Sequence, residues 1–331
     1  MAGASPNRGL AMTVAVGVLL ASAPVWLDDW HALQLAQLFA YGIFAMGLSF
    51  LWGQAGLLCF GQAIFFGIGA YAMTLTTQGR IPGLPDGTLF GLLAAVMLST
   101  VAAAVAGLLL FKGRGVGGAY FSIVTLASAV IAERAASHWP LLGGFNGLMN
   151  VPPLRWPDGR ELVDTLPVYY VLLSAAVAVF ALLLTLERSP FGTGLRAIRD
   201  NEQRSRFLGI DVFRYKTACL MVSAAVSGLA GALFVTQFGF VSPALIGLPL
   251  STEVLIWTAL GGREVLLAAF AGALLVRSVE GALSDALGNT WILALGLLFV
   301  LVVVLFPRGV AGRLWSLPLP KRLRAEVRRG D

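Results

Sequence analysis

The chain has 331 residues, of which 58% are hydrophobic and 12% are charged, and its formal net charge is +6. An ordinary soluble domain carries about 25% charged residues to cover its surface, so this composition excludes a soluble fold and indicates a protein whose solvent is lipid. The basic residues lie in short polar stretches and in a terminal tail rather than in a folded basic domain. This pattern argues against a nucleic-acid partner and favours anionic lipid headgroups.

The first apolar segment begins after Arg8 and continues without charge to Leu27. Arg8, the apolar run and the small residues 21–23 are similar to a cleavable signal peptide, but Pro24 would directly follow the cut. The uncharged stretch from Gly9 has 19 residues, close to the about 20 residues that cross a bilayer. We therefore expect a retained first span, with cleavage as the open alternative.

Charged side chains mark the ends of the remaining spans, because an unpaired charge at the centre of a bilayer is costly. The uncharged stretch between Asp29 and Arg80 is long enough for two crossings. The further spans are predicted at about 32–52, 57–77, 88–111, 116–131, 168–186, 217–235, 244–260, 265–283 and 289–306. The predicted fold is thus an all-α, polytopic bundle of about ten transmembrane helices, in which the segment 244–260 is either a full span or a re-entrant one.

The distribution of Lys and Arg predicts the orientation, since basic loops stay on the cytoplasmic side. With the N-terminus inside, eighteen Lys and Arg residues fall on the inner side and four on the outer side. We therefore expect both termini in the cytoplasm. The predicted organisation is a transmembrane domain of residues 1–312, which includes a cytoplasmic loop at 187–216, followed by a basic cytoplasmic tail of residues 313–331.

Glycine and proline interrupt several predicted spans. Residues 53–56, 67–69 and 115–118 each contain at least two glycines, and Pro249 lies inside the eighth predicted span. Such stretches either break a helix beside a substrate route or let another helix approach closely, and both interpretations stay open. The candidate residues of a substrate route are Gln54, Gln62, Tyr120 and Glu253.

The loop at 187–216 is about thirty residues long, whereas most connections between helices have 2–8 residues. Pro190 ends the preceding span, and Leu195 and Ile198 then share one face of a short amphipathic helix whose arginines point elsewhere. Such a helix is suited to dock on a separate protein, with the binding of lipid headgroups as the alternative. The candidate docking residues are Leu195, Arg196, Ile198, Arg199, Glu202 and Gly209.

Several stretches of the chain resemble the permeases of branched-chain amino-acid ABC importers, and in particular the M type of the two permeases. These stretches are GLRAIRDNE at 194–202 with its continuation to 216, then 223–233, 144–148 and 56–62. The family more often has Ser at the position of Cys59 and His at the position of Gln62, so the resemblance assigns neither residue a polar role. The similarity runs from about residue 40 to about residue 312.

This resemblance implies an assembly in the bacterial inner membrane. A periplasmic binding protein would deliver the substrate, a second permease would pair with this one, and two ATP-binding-cassette ATPase subunits would dock on the loop at 187–216. The substrate would be a branched-chain or other hydrophobic amino acid. However, the stretches 120–123 and 256–263 are at least as similar to a sister subgroup that carries urea and short amides, so both substrate classes stay open.

Of two functions from other classes, one remains as an alternative. An enzyme is not expected, because the chain lacks the Gly-Lys-Ser/Thr of a phosphate-binding loop and has no cluster of ligands for a metal, and no cofactor is expected. An ion-coupled secondary transporter would need acidic residues inside the membrane. Glu253 and Glu280 are the candidates; Arg277 lies three residues from Glu280, where the two can pair, whereas Glu253 has no partner nearby in sequence.

Overall fold

A computed structural model describes residues 6–287 except 82, 84, 86, 113–117 and 157, and also residues 290 and 296. The helices of this part of the chain are α1 (Pro6–Trp26), α2 (Asp29–Ala55), α3 (Gln62–Thr77), α4 (Thr88–Phe111), α5 (Ala119–His138), α6 (Thr165–Arg188), α7 (Pro190–Asp200), α8 (Glu202–Phe207), α9 (Val212–Phe238), α10 (Leu248–Gly261) and α11 (Leu266–Leu287). Two short strands, β1 (Leu148–Met149) and β2 (Phe240–Val241), pair in antiparallel fashion.

The prediction of an all-α membrane protein is confirmed. Within the described residues, six helical segments are long and apolar enough to cross a membrane. The number of spans and the orientation of the termini stay predictions. The predicted span 289–306 apart from residues 290 and 296, the tail 313–331 and the glycines at 115 and 117 lie outside the described residues.

Two predicted spans have different bounds in the structure. The span predicted at 57–77 is shorter, because α3 begins only at Gln62. The span predicted at 116–131 extends further, since α5 continues through Glu133 and Arg134 to His138. A charged residue near a helix end can remain helical while its long side chain reaches the polar interface, so the charge at Glu133 marked the end of this helix too early.

Helices α2 and α9 form the centre of the bundle. In the apolar windows of these two helices 78% and 72% of residues are buried, against 22% in α4 and in α5. Helix α2 packs against α6, α9, α10 and α11, and α9 also packs against α3 and α4. The core therefore consists of two all-round apolar helices, as expected for helices that other helices surround.

Helix α4 packs on this core through a stripe of small residues. Its buried positions recur every four residues and are Gly91, Ala95, Ser99, Ala103 and Gly107, followed by Phe111. Small side chains let helix backbones approach closely, which is how membrane helices gain packing contacts in the absence of a hydrophobic driving force. The Ser99 hydroxyl also donates a 2.9 Å hydrogen bond to the carbonyl oxygen of Phe65 on α3.

The chain is not helical between α2 and α3. Gly56 ends α2 in the left-handed conformation (φ 69°), where glycine is favoured. Helix α5 then takes up backbone groups of the break: Phe60 N donates to Thr125 Oγ1 at 3.1 Å, and Ser122 Oγ donates to Leu58 O at 2.8 Å. The glycines at 67–69 do not break α3; they lie where Gly69 meets the backbone of Gly228 on α9.

The eighth predicted segment joins the two ends of the bundle. It starts after β2, and we call this end of the bundle the ribbon end. It finishes with α10 at the end that carries α7 and α8, which we call the basic end. There Ser49 Oγ donates to Arg263 O at 3.1 Å. Pro249 does not interrupt this helix, contrary to the sequence interpretation, because it lies in the first turn of α10. A proline is tolerated there since the first N–H groups have no partner within the helix.

The close crossing of α3 and α9 generates a prediction. A Cβ at Gly231 would overlap the carbonyl oxygen of Phe66, so we expect Gly231→Ala to destabilise the protein by about 1–3 kcal/mol through overpacking. The measurement is the thermal unfolding midpoint of the detergent-solubilised protein. Gly17→Ala is the matched control, because a Cβ at Gly17 meets no atom within 4 Å; equal midpoints for both variants would contradict this account.

Candidate functional site

Helix α7 is an amphipathic helix that begins directly after α6. Ser189 is in an extended conformation, and Pro190 occupies the first helical position, which is the position where a helix best accepts proline. Leu195 and Ile198 are 0% and 3% exposed. The prediction that these two residues share one face is confirmed, and this face is held against the bundle rather than presented to solvent.

The arginines of α7 also reach back into the bundle. Arg196 Nη1 donates 3.0 Å hydrogen bonds to Gln54 Oε1 and to Glu187 O. Arg199 Nη1 donates to the carbonyl oxygen of Gly53 and lies 3.8 Å from Glu264 Oε1. The sequence interpretation that these arginines point away from the apolar face is therefore only partly right: their guanidinium groups fasten α7 to the ends of other helices.

Glu202 on α8 makes two strong ionic hydrogen bonds. Lys216 Nζ donates to Glu202 Oε2 and Arg206 Nη2 donates to Glu202 Oε1, both at 2.6 Å. The Lys216 residue is 4% exposed, and its ammonium lies 5.7 Å from the centre of the Phe111 ring on α4. This pair connects α8 to α9 and, through the ring, to α4.

The electrostatics of Glu202 favour its ionised form. Burial opposes ionisation, but the hydrogen bond to Lys216 and the charges of Lys216 and Arg206 hold the pKa of Glu202 below its ordinary value of 4.5. Because the folded-state pKa is depressed, the pair stabilises the fold at neutral pH. That stabilisation is lost as the pH falls through the depressed pKa.

Two side-chain caps and one glycine set the shape of the turn that carries α8. Asn201 Oδ1 accepts a hydrogen bond from Arg204 N at 2.9 Å, and Asp211 Oδ1 accepts one from Arg214 N at 3.1 Å. Gly209 lies between the two caps with φ at 82°, a conformation in which a residue with a Cβ is strained. Glycine is therefore favoured at position 209 by the turn between α8 and α9.

The tip of this segment exposes two large apolar residues. Phe207 is 91% exposed and Leu208 is 71% exposed, and Arg204 and Arg206 precede them in the sequence. Sequence reasoning missed both residues, although an apolar pair directly after Arg204 and Arg206 and before Gly209 is the signal that could have found them. Exposed apolar side chains that are rimmed by charge are typical of an interaction surface.

The four candidate residues of a substrate route do not lie together. Gln54 is at the basic end, bonded to Arg196, and Tyr120 is 76% exposed on α5. Gln62 and Glu253 lie on neighbouring elements, because Ala63 N donates to Ser251 Oγ at 3.1 Å. The structure thus brings Gln62 near the part of α10 that carries Glu253 and separates it from the other two.

Gln62 belongs to a buried polar network between α3 and α9. Its Nε2 donates to Ser227 Oγ at 2.6 Å and to Ser223 Oγ at 2.8 Å, and Ser223 Oγ donates to Gly47 O on α2 at 2.7 Å. Within the described residues Gln62 Oε1 has no hydrogen-bond partner. The network holds the start of α3 against the two central helices.

Glu253 has an ionic partner that sequence reasoning missed. Arg277 Nη1 lies 2.7 Å from Glu280 Oε2, as the spacing of the two residues predicted, and 3.6 Å from Glu253 Oε2. Arg277 Nη2 also donates to the Tyr41 hydroxyl at 3.1 Å. The partner lies on another helix, 24 positions along the chain, so local spacing could not predict it. In the described part of the chain no group of three or more His, Cys, Asp or Glu side chains is placed to hold a metal.

Comparison with known proteins gives one family. Residues 32–306 match the family described as branched-chain amino acid transport system, permease component. The high-affinity branched-chain amino acid transport system permease protein LivM of Escherichia coli is 29% identical over 297 residues, which cover 82% of this chain and 67% of LivM. No solved structure matches the chain.

Two further relatives carry related names. The high-affinity branched-chain amino acid transport system permease protein BraD of Pseudomonas aeruginosa is 22% identical over 283 residues, which cover 82% of this chain and 92% of BraD. The high-affinity branched-chain amino acid transport system permease protein LivH of Salmonella typhimurium is 27% identical over 139 residues, which cover 41% of this chain and 44% of LivH.

The ion pair of Glu202 and Lys216 generates a prediction. In Glu202→Gln the buried Lys216 ammonium loses its carboxylate, so we expect a loss of about 2 kcal/mol of unfolding free energy. The double variant Glu202→Gln/Lys216→Met should recover most of that loss, since no unpaired charge remains. Thermal unfolding of the purified protein measures both, with Asp158→Asn as the control because Asp158 and Arg160 form an exposed pair. Additive losses in the double variant would refute the coupling.

Proposed function

We propose that this chain, which belongs to the permease family of branched-chain amino acid ABC importers and within it to the M type, is the translocation subunit of an ATP-driven importer of branched-chain or other hydrophobic amino acids. Its relatives are transport permeases, so we infer a role in translocation and not in catalysis. The ATP would be hydrolysed by separate subunits that dock on the α7–α8 segment. The chain is a multi-pass membrane protein, and its family implies the bacterial inner membrane.

The attachment of α7 carries this proposal. One short amphipathic helix is bonded to Gly53 and Gln54 at the end of α2, to Glu187 at the end of α6 and to Glu264 in the turn between α10 and α11. A helix that is fixed to several helix ends moves those ends together when it is pushed. This is the mechanical property that a separate ATPase needs in order to change the arrangement of a transmembrane bundle.

The tip of the segment supports a protein partner rather than lipid alone. Phe207 and Leu208 are exposed beside Arg204 and Arg206, and a partner groove of apolar floor and acidic rim would complement them. Seven Lys and Arg residues lie within 187–216. The rule that basic loops stay on the cytoplasmic side then supports a cytoplasmic basic end and a ribbon end that faces the periplasm.

A second permease and a periplasmic binding protein complete the proposed assembly. The chain is similar to both LivM and LivH, two differently named permease proteins of branched-chain amino acid transport. Helix α5, only lightly packed within this chain, exposes Ser128 and Arg134 beside apolar residues. Polar and small residues on the outer face of a membrane helix suit contact with another protein better than contact with hydrocarbon.

The docking role of the tip generates a prediction. Phe207→Asp should reduce the amount of ATPase subunits that copurify with the permease pair by about tenfold or more, because an exposed aromatic anchor is replaced by a charge. Copurification from detergent extracts, quantified by subunit ratio, is the measurement. Phe145→Asp is the matched control, since Phe145 is 83% exposed at the ribbon end. A wild-type ratio in the Phe207 variant would exclude the tip as the docking point.

The energy source and the substrate generate a second prediction. In proteoliposomes that contain the permease pair, the ATPases and the binding protein, leucine uptake should require ATP and should not respond to a proton or sodium gradient. Labelled urea and acetamide are the comparison substrates, because the sister subgroup carries such neutral solutes. Gradient-driven uptake by the permease without ATPases would overturn the proposal, and ATP-dependent uptake of urea alone would replace its substrate.

A further inference from the structure

Four side chains from three helices form a polar cluster inside the bundle, which we call the α2–α10–α11 cluster: Tyr41, Glu253, Arg277 and Glu280. Tyr41 lies near the middle of α2, twelve residues after Asp29 and fourteen before Ala55. The guanidinium of Arg277 is 4.5 Å from the centre of the Tyr41 ring and 5.9 Å from that of Trp257. The cluster is thus surrounded by aromatic rings and lies away from both ends of α2.

The charges of this cluster do not balance. It contains two carboxylates and one guanidinium, and among the described side chains no further ionic partner lies within 4 Å of them. Arg277 is closely paired with Glu280, whose side chain is 8% exposed, whereas Glu253 is farther from Arg277 and its side chain is 23% exposed. Glu253 is therefore the carboxyl group without a close cation and the more accessible of the two, and its ionised form is costly inside a membrane protein unless a cation compensates it.

We propose that Glu253 binds the ammonium group of the amino-acid substrate during its passage through the bundle. This proposal rests on the proposed function and extends it to a named contact. A carboxylate without a close cationic partner is a favourable site for an organic ammonium, because the ionic hydrogen bond between them is charge-assisted. The same site gives no comparable advantage to urea, which carries no charge.

A spare donor beside the cluster fits the other end of a zwitterion. Trp257 lies one turn after Glu253 on α10 and is fully buried, and within the described residues its indole N–H has no hydrogen-bond partner. A buried donor without an acceptor is costly. The carboxylate of an amino acid held at Glu253 would supply that acceptor, with the positive charge of Arg277 close by.

The cluster and α7 act on the same helices. Arg199 holds the end of α2 at Gly53 and the turn between α10 and α11 at Glu264, while the cluster joins α2, α10 and α11 farther along their length. A movement of α7 therefore changes the spacing of the helices that carry Tyr41, Glu253 and Arg277. This geometry allows the ATPase subunits that dock on α7 to alter the affinity of the site for an ammonium group.

The test uses the complete transporter in proteoliposomes with labelled leucine. Glu253→Gln keeps the shape of the side chain and removes its charge, so we expect leucine uptake to fall at least about tenfold. The ATPase rate that the loaded binding protein stimulates should stay within about twofold of wild type, because the docking segment is unchanged. Trp257→Phe should lower uptake less, by about threefold. Glu161→Gln, which alters an exposed carboxylate paired with Arg155, should leave both rates unchanged.

The possible contrary results are distinct. Wild-type leucine uptake in Glu253→Gln would overturn the ammonium site, since glutamine mimics a glutamic acid that a proton has neutralised. A parallel loss of uptake and ATPase stimulation in a complex that elutes as wild type would also overturn it. If the Gln variant does not assemble, Glu253→Asp replaces it, and an unchanged KM for leucine uptake would then refute the site. Failure of the wild-type complex to take up leucine with ATP would instead refute the proposed function.

Discussion

Hydrocarbon offers no hydrogen-bond partner to a peptide group, so each break in a helix of this bundle needs protein groups that take up the freed N–H and C=O groups. The break between α2 and α3 follows this rule. Thr125 and Ser122 on α5 bond to Phe60 N and Leu58 O, and Ser251 on α10 accepts from Ala63 N. Three side chains on two helices that are distant in sequence thereby hold the break and the start of α3, and the position of α3 depends on them.

The same constraint explains where charge is tolerated. Arg196 and Arg199 place their guanidinium groups on carbonyl oxygens and amides at helix ends, and Lys216 is buried only because Glu202 faces it at 2.6 Å. The α2–α10–α11 cluster differs, because its carboxylates outnumber its cation. We assign this excess carboxyl group to the passage of the substrate ammonium, since intramembrane ionisable residues commonly mark substrate routes.

Much of the fold could be predicted from the sequence, since helices that cross lipid are long apolar segments bounded by charged residues. That pattern located α2, α4, α6 and α9, and helical spacing identified the shared face of Leu195 and Ile198. The sequence interpretation was wrong at Glu133, where the charge lies inside α5, and at Pro249, which begins a helix. Both errors have one cause, because a residue type was taken as a helix boundary without regard to its position. A charged side chain near a helix end can reach the polar interface, and a proline in the first turn removes an N–H that has no partner within the helix.

The sequence by itself determined the membrane class, the family motif and the local pair of Arg277 with Glu280, because composition and spacing of three or four residues are written in the chain. Only the tertiary structure decided which distant residues meet: Glu253 with Arg277, Glu202 with Lys216, and Arg199 with Gly53. It also decided that Gln54 lies with α7 and that Tyr120 faces outward. These partners are set by how helices pack, and the packing depends on small residues such as Gly231 and Gly69, whose fit becomes apparent only when both helices are in place.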